Sequence, residues 1–188
     1  MREQLHDLSD QYDLIPVYKV PALPGQKPNF KQEPFGNEQK YPIDHPKWSR
    51  ACRDCIGIRL NRFVLVDWDG YKDGAVTIEE LAKTLGFSVD ELMCHCIQWK
   101  NDSSSLHFLF VMPDWVSKEE YNQPNENGLG FAVDIKWGNQ LVYLKSSKTN
   151  RMADFVPAEA PPAVLAALKK KGKASAHTNT NVVPRAGS

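Results

Sequence analysis

The stretch "FVLVDWD", residues 63–69, places two acids directly after an apolar run. In a strand, successive side chains point to opposite faces, so Asp67 and Asp69 share one face and Trp68 lies on the other. Two acids at the end of a buried strand cost desolvation and mutual repulsion unless a cation compensates them. The stretch therefore predicts a central strand that ends in a site for a hard, oxygen-preferring divalent ion, Mg²⁺ or Mn²⁺.

The whole chain has 188 residues, with 23 lysines and arginines balanced by 23 aspartates and glutamates. This balance excludes a uniformly basic surface, so any binding of nucleic acid must come from a local basic patch. The N-terminus lacks the apolar core of a signal peptide, and no stretch approaches the roughly 18 apolar residues of a membrane span. We therefore expect a monomeric cytoplasmic protein that does not enter a membrane.

Short β-rich runs flank the central strand on both sides. "IGIRL" precedes it after only Asn61 and Arg62, which predicts an antiparallel pair. Downstream, Thr77 and Glu80 form a capping-box pattern, and Gly86 ends the short amphipathic helix that follows. Further strands are predicted, the first two joined by the polar turn "NDSSS" and the last two by a "WGNQ" hairpin: "CIQWK", "LHFLFVM", "FAVDIKW" and "QLVYLK". The pattern predicts an α+β fold in which helix packs on mostly antiparallel sheet.

The composition changes near the C-terminal end of the chain. Residues 1–155 carry the strand and helix patterns and are predicted to form one domain. Residues 156–188 begin with a brief helical run, "PPAVLAALKKK", and continue as a small, polar stretch. We predict a short helix followed by a disordered linker or tail.

Three further residues are candidates for the same site. In "FAVDIKW", Asp134 lies on the face opposite Val133 and Ile135, where it either joins the two acids or belongs to a solvent-facing polar stripe. Ser105 and His107 share a face directly after a polar turn, so they are placed to contact an anion. The alternative for His107 is an ordinary packed strand residue.

The cysteines allow a zinc site or a set of reduced thiols. Cys52 and Cys55 form a CxxC pair, and Cys94 and Cys96 flank His95 in a second cluster. The second spacing differs from the CxxC pairs of zinc ribbons, and the rest of the fold lies between the two clusters. We therefore favour buried thiols over zinc.

Taken together, "VLVDWDG", "SLH" and "VDIKWG", in that order, resemble the three motifs of the archaeo-eukaryotic primase superfamily. The likeness is greatest to the bifunctional primase–polymerase domains of phages, plasmids and other mobile elements, and it runs from about residue 12 to about residue 150. It implies a palm sheet like that of the RNA-recognition motif with flanking helices. It also implies a DNA primase and DNA-dependent DNA polymerase that acts on a single-stranded template, a primer and (deoxy)nucleoside triphosphates. Whether a helicase domain follows in the native chain is left open.

The resemblance also implies roles for the candidate residues. Asp67, Asp69 and Asp134 would hold catalytic Mg²⁺ or Mn²⁺, and Ser105 and His107 would contact the phosphates of the incoming nucleotide. On the argument that each lies on a strand bordering the acids, Lys136 and Arg59 are added as nucleotide or template contacts.

Two other functions compete with this one. "VDWDG" is similar to the nucleophile motif of haloacid-dehalogenase-type phosphatases, although Tyr71 follows the glycine where that family has threonine or valine. The second alternative is a nucleic-acid-binding module of the same fold that has lost catalysis and stacks bases on exposed aromatic side chains such as Trp99 or Trp137. A pure binder has no need of three acids, which repel phosphate unless a metal is bound.

Overall fold

The computed structural model describes residues 8–26, 29–32, 41–51, 55–99, 105–121, 125–145 and 156–169. The strands are β1 (Asp13–Ile15), β2 (Val17–Val20), β3 (Asn29–Gln32), β4 (Cys55–Arg59), β5 (Phe63–Trp68), β6 (Cys96–Trp99), β7 (Leu106–Val111), β8 (Val133–Lys136) and β9 (Leu141–Lys145). The helices are a 3₁₀ helix (Pro46–Ser49), α1 (Ile78–Leu85), α2 (Val89–Cys94), α3 (Lys118–Tyr121) and α4 (Pro162–Leu168). Among these elements no helix has the length and apolar character needed to span a bilayer.

The strands form a four-stranded sheet in the order β6-β7-β5-β8, a three-stranded sheet in the order β1-β4-β9, and a two-stranded sheet of β2 and β3. Every one of these pairings is antiparallel. Along the chain, the larger sheet and its helices follow the order β5-α1-α2-β6-β7-α3-β8, the β-α-β-β-α-β arrangement of ferredoxin-like folds. The predicted α+β fold, with an antiparallel palm sheet and flanking helices, is confirmed.

Two predicted strand pairings are wrong. β4 and β5 belong to different sheets, and so do β8 and β9, so neither "IGIRL"–"FVLVDWD" nor the "WGNQ" connection is a hairpin. A two-residue hairpin of type I′ needs positive φ at both of its residues, and neither Asn61 nor Arg62 has it. The chain instead crosses between the sheets at both places, where the backbone of Leu60 bonds to Gln140 O (3.0 Å) and Gly138 N (3.1 Å).

One face of the four-stranded sheet is covered by helices. Leu81, Leu85 and Leu92 of α1 and α2 pack on it, together with residues of α4. The strands contribute a continuous apolar surface: Val64, Val66, Trp68, Leu106, Phe108, Phe110, Val133 and Ile135. Alternate residues of β5 therefore supply the larger hydrophobic core, as the two-residue period of a strand requires.

The opposite face of the same sheet packs against the three-stranded sheet. Phe63, Leu65 and Leu109 meet side chains of the second sheet and its flanks there: Tyr12, Leu14, Ile58, Leu60 and Val142. Phe63, Leu65 and Asp67 alternate along one side of β5, so this apolar layer stops at Leu65. The next side chain on the face, Asp67, is charged.

The two helices predicted from the sequence are present, whereas α2 and α3 were not predicted. Thr77 Oγ1 accepts from Glu80 N and Glu80 accepts from Thr77 N, which completes the predicted capping box, and Gly86 ends α1 with φ of 82°. The predicted C-terminal helix is α4, whose Val164 and Leu168 are part of the larger core. Residue Val111 of β7 also forms a parallel bridge with Glu159. The predicted disordered tail lies outside the described residues, as does the turn at 101–104.

Candidate active site

Strand β5 lies between β7 and β8, and its end meets polar residues on both neighbours. In the register of the sheet, Asp67 is directly opposite His107 on β7 and Asp134 on β8. Directly opposite residues of an antiparallel pair lie on the same face. His107, Asp67 and Asp134 therefore form one row across three strands, on the face whose apolar cover ends at Leu65.

A second polar pair lies one step farther along the same face. Ser105 is buried, and its hydroxyl donates a hydrogen bond to Asp69 Oδ1 (3.2 Å). Asp69 Oδ2 also forms an ion pair with Lys72 Nζ (2.9 Å). The two acids after β5 thus meet Ser105 and His107, as expected for residues that share a face of adjacent strands.

Asp67 is more enclosed than Asp69. Only 12% of its side chain is exposed, and it forms an ion pair with Lys136 of β8 through Oδ2. His107 Nε2 lies 3.1 Å from Asp67 Oδ1. Burial alone would raise the pKa of Asp67, but the interactions with His107 and Lys136 together outweigh it and hold the pKa well below its usual value. Asp67 is therefore ionised at neutral pH.

Two buried polar atoms in this row have unused bonding capacity. His107 Nε2 is within ion-pair range of Asp67 Oδ1 but off the hydrogen-bonding direction, so Oδ1 has no hydrogen-bond donor among the described residues. His107 Nδ1 is also buried, and the described part of the chain supplies it with no partner. Buried polar groups normally find a partner, so both atoms have capacity for a further ligand.

The third acid, Asp134, is held from the loop before β8. Its Oδ1 accepts a hydrogen bond from the backbone N–H of Asn127 (3.0 Å). Sequence reasoning missed both Asn127 and Lys72. The signal for Lys72 was its position three residues after Asp69 in a tight turn, whereas Asn127 lies seven residues from its partner and left no local pattern.

The turn after β5 is shaped by Trp68. Its indole N–H donates to Val76 O (2.7 Å), and Lys72 N donates to Asp69 O (3.0 Å). Gly70 lies so close to the Trp68 ring that a Cβ atom at this position would overlap it. The indole and the glycine together fix the turn that carries Asp69.

The argument for Arg59 is wrong in its placement. Arg59 is on β4, whose neighbours are β1 and β9, so it does not lie on a strand bordering the acids. Its side chain is buried and donates to Asn139 O (3.2 Å). Lys136 is on β8 beside β5, as predicted. A nucleotide contact by either residue stays a prediction.

The cysteines lie in separate places. Cys55 is buried on β4 and Cys96 is buried on β6, which are strands of different sheets. Cys94 is exposed, and its thiol donates to Asp90 O (3.3 Å), so the prediction of a buried thiol is wrong for this residue. Cys52 lies outside the described residues.

The side chains that could hold a divalent ion are Asp67, Asp69 and Asp134. Within the ranges described, no three carboxylate, imidazole or thiol groups already form an ion-binding cluster. Lys136 and Lys72 instead lie against the first two carboxylates, where each acts as a counterion. The donor set itself fits a hard cation, because it consists of carboxylate oxygens and includes the buried Oδ1 of Asp67, which faces His107 Nε2 but accepts no hydrogen bond among the described residues.

Comparison with known proteins identifies a family for this chain. A family model described as bifunctional DNA primase/polymerase, N-terminal, matches residues 5–168. The match covers most of the 188 residues, and it contains every candidate site residue and helix α4. No curated protein matches the chain. The family match favours the primase–polymerase interpretation over a haloacid-dehalogenase-type phosphatase.

Proposed function

The chain belongs to the bifunctional DNA primase/polymerase family, and from this premise we propose that it catalyses template-directed nucleotidyl transfer from nucleoside triphosphates. The observation that carries the proposal is the row of His107, Asp67 and Asp134, with Asp69 and Ser105 beside it. The row and the two residues beside it place three acids and two groups of the kind that contact phosphate on one face of neighbouring strands. The substrates are a single-stranded DNA template, a primer and (deoxy)nucleoside triphosphates.

Asp67, Asp69 and Asp134 would hold Mg²⁺ or Mn²⁺ in this proposal. Such ions activate an attacking hydroxyl and neutralise charge on the transferred phosphate. The low pKa of Asp67 keeps its carboxylate charged at neutral pH, so it can bind a cation without first losing a proton. Its enclosure strengthens that interaction, because a less polar surrounding screens charges less than water does.

The remaining polar residues have separate tasks. The imidazole of His107 and the hydroxyl of Ser105 lie on the side of the acids formed by β7, and His107 Nδ1 has no hydrogen-bond partner among the described residues. Nδ1 can donate to a phosphate oxygen when it carries a proton. Both groups suit the phosphates of an incoming nucleotide, since hydrogen bonds to charged oxygens are the stronger kind. Lys136 and Lys72 now compensate the acids, and in the complex their ammonium groups are available to the triphosphate.

A binding module without catalysis is the main alternative. Trp137, predicted as an exposed stacking residue, is buried, and the Trp99 side chain lies outside the described part of the chain. Tyr71 and Phe131, each close in sequence to one of the acids, are exposed and suit base stacking with or without chemistry. The three carboxylates decide between the two functions, because they repel a phosphate backbone unless cations neutralise them. Metal-dependent catalysis requires acidic side chains at this position, whereas binding of nucleic acid alone does not.

The setting of the enzyme is part of the same proposal. The resemblance to domains of phages, plasmids and other mobile elements suggests replication of such an element in the cytoplasm of a bacterial host. A helicase domain in the native chain and a monomeric state are further expectations of this proposal.

The proposal is tested by extension of a labelled primer on a single-stranded DNA template. The purified chain is incubated with nucleotides in the presence of Mg²⁺, Mn²⁺ or a chelator, and products are separated by length. We expect template-dependent extension with either ion and none with the chelator, while circular dichroism shows the fold unchanged. Binding of the template without extension under any ion would favour the non-catalytic module.

A further inference from the structure

The loop before β8 is built in an unusual way. Within residues 125–132, Asn127 has φ of 56°, Gly130 has φ of 113° and Ala132 has φ of 68°. Positive φ is uncommon outside glycine and is several-fold enriched in asparagine. For a buried alanine such as Ala132 it costs about 1–2 kcal/mol and persists only where neighbouring contacts impose it.

Asn127 is the residue that makes those contacts. Its side-chain Oδ1 accepts a hydrogen bond from Ala132 N (2.7 Å). Its backbone N–H donates to Asp134 Oδ1 (3.0 Å), and its carbonyl accepts from Gly130 N (3.1 Å). One residue thus holds both the third acid and the strained alanine.

Ala132 connects the loop to the other acids. Its carbonyl accepts from Asp69 N (2.9 Å), and the carbonyl of Phe131 beside it accepts from Val76 N (3.2 Å). The path from Asp134 through Asn127 and Ala132 to Asp69 therefore consists of three hydrogen bonds of ordinary length. It joins the ends of two strands that each carry an acid.

We propose that Asn127 is a positioning residue that fixes Asp134 relative to Asp69 so that the two carboxylates can share a divalent cation. This inference rests on the proposed function, since it concerns the same acids. Asn127 touches neither substrate nor ion in this proposal. It acts through Ala132 and Asp134, in the way that groups behind metal ligands orient them.

The rest of the loop has its own anchors. Ile135 N donates to Asn125 O (3.0 Å), and the side chain of Asn125 donates to Ala167 O at the end of α4. These bonds do not involve Asn127, so they hold the loop on the domain when the Asn127 side chain is removed. Loss of that side chain should therefore disturb the positions of Asp134 and Asp69 more than it lowers the stability of the domain.

The test compares Asn127→Gly with Asn61→Gly in the full chain without DNA. Glycine adopts positive φ freely, and residue 127 keeps its N–H to Asp134, so the first variant removes only the bond to Ala132. Asn61 donates to Asp13 (3.2 Å) away from the acids, which makes it a matched loss of one amide contact. Calorimetric titration with Mn²⁺ and thermal melts without metal are measured for both.

We expect Asn127→Gly to weaken Mn²⁺ binding about tenfold, the lower end for residues behind metal ligands. Asn61→Gly should leave Mn²⁺ binding unchanged, and the metal-free melting temperatures of the two variants should be similar. Asn127→Asp should restore the affinity, because its carboxylate can accept from Ala132 N and aspartate also tolerates positive φ. Equal weakening by both glycine variants, or wild-type affinity of Asn127→Gly, would overturn the proposal.

A second measurement covers the case in which Asn127→Gly does not fold. Binding effects are reciprocal, so Mg²⁺ bound to the wild type should slow hydrogen exchange of the Ala132 amide, while the amide of Leu14 in β1 serves as reference. Unchanged exchange at Ala132 on saturation with Mg²⁺ would refute the role of Asn127. If instead wild type binds neither ion, or Asp67→Asn binds Mn²⁺ as wild type does, the proposed function itself fails.

Discussion

The two sides of strand β5 meet different neighbours. On the helix side, Val64, Val66 and Trp68 are apolar to the end of the strand, because helices cover that face along its full length. On the other side, Phe63 and Leu65 are covered by the second sheet, and Asp67 follows where that cover stops. A charge is expensive to bury. One strand can supply both core and active site only because its two faces are covered to different lengths.

The largest effect on activity is expected at Asp67, where one side of β5 becomes charged while the helix-facing side stays apolar. Asp67→Asn removes the negative charge of this enclosed carboxylate with almost no change in shape. If Asp67 holds a catalytic ion, loss of about 4 kcal/mol of transition-state stabilisation lowers the rate roughly a thousandfold. Primer extension in Mn²⁺ measures this rate, with Asp13→Asn on β1 as the control variant. A rate within tenfold of wild type would contradict a catalytic role.

A substitution on the covered part of the same face should affect stability instead. Leu109 is fully buried against the second sheet, two residues from His107 on the same side of β7. Leu109→Ala is expected to lower the free energy of unfolding by about 2–5 kcal/mol, as measured by urea denaturation. Leu23→Ala, at a residue that is 67% exposed, should change it by less than about 0.5 kcal/mol. A Leu109→Ala variant as stable as wild type would show that this layer is not a packed core.

His107 lies on the boundary and should affect substrate binding. If its imidazole contacts the triphosphate, His107→Ala weakens nucleotide binding by roughly 1.5–3 kcal/mol, the range for hydrogen bonds to charged groups. The nucleotide concentration for half-maximal extension should then rise about ten- to a hundredfold. Titration of nucleotide in extension assays measures this concentration. Calorimetric titration with Mn²⁺ is the control and should give the wild-type affinity. Loss of Mn²⁺ binding together with the histidine would assign His107 to the metal site instead.

The smallest effect should come from the counterion of Asp67. Lys136→Met keeps an unbranched side chain and removes the ammonium group that competes with a bound cation. With about a third of Lys136 exposed, the gain in Mn²⁺ binding should be roughly 0.5–1 kcal/mol, or about two- to fivefold. Calorimetry measures it, with Lys19→Met on β2 as the control. Weaker Mn²⁺ binding in Lys136→Met would mean that the lysine supports the ion site.

The parts of the fold that depend on nearby residues could be predicted from sequence. The capping box of Thr77 and Glu80, the end of α1 at Gly86 and the strands β6 and β7 are all present. The failures concern sheet membership. β4 and β8 each have buried residues whose partners lie far along the chain, so the pairs β4-β9 and β5-β8 depend on tertiary packing that no short window contains.

The candidate site shows the same division. The alternation of a strand placed Asp67 and Asp69 on one face of β5, and the spacing of Ser105 and His107 placed those two on one face of β7. The pairing of β5 with β7 brings all four residues to the same face of the sheet. The predicted placement of Arg59 is wrong because β4 pairs with β1 and β9 and not with β5. Asn127 could not be found, since its role depends on backbone φ angles and on a bond to Ala132 that exist only in the folded loop.

The position between the two acids of the motif is not interchangeable in this chain. Trp68 fills the helix side and holds Val76 O, and its ring takes the space that a side chain at residue 70 would need. A large side chain at position 68 therefore requires glycine at position 70. Across relatives, the two positions should covary: a large ring between the acids should accompany glycine after them, and a small residue there should free position 70.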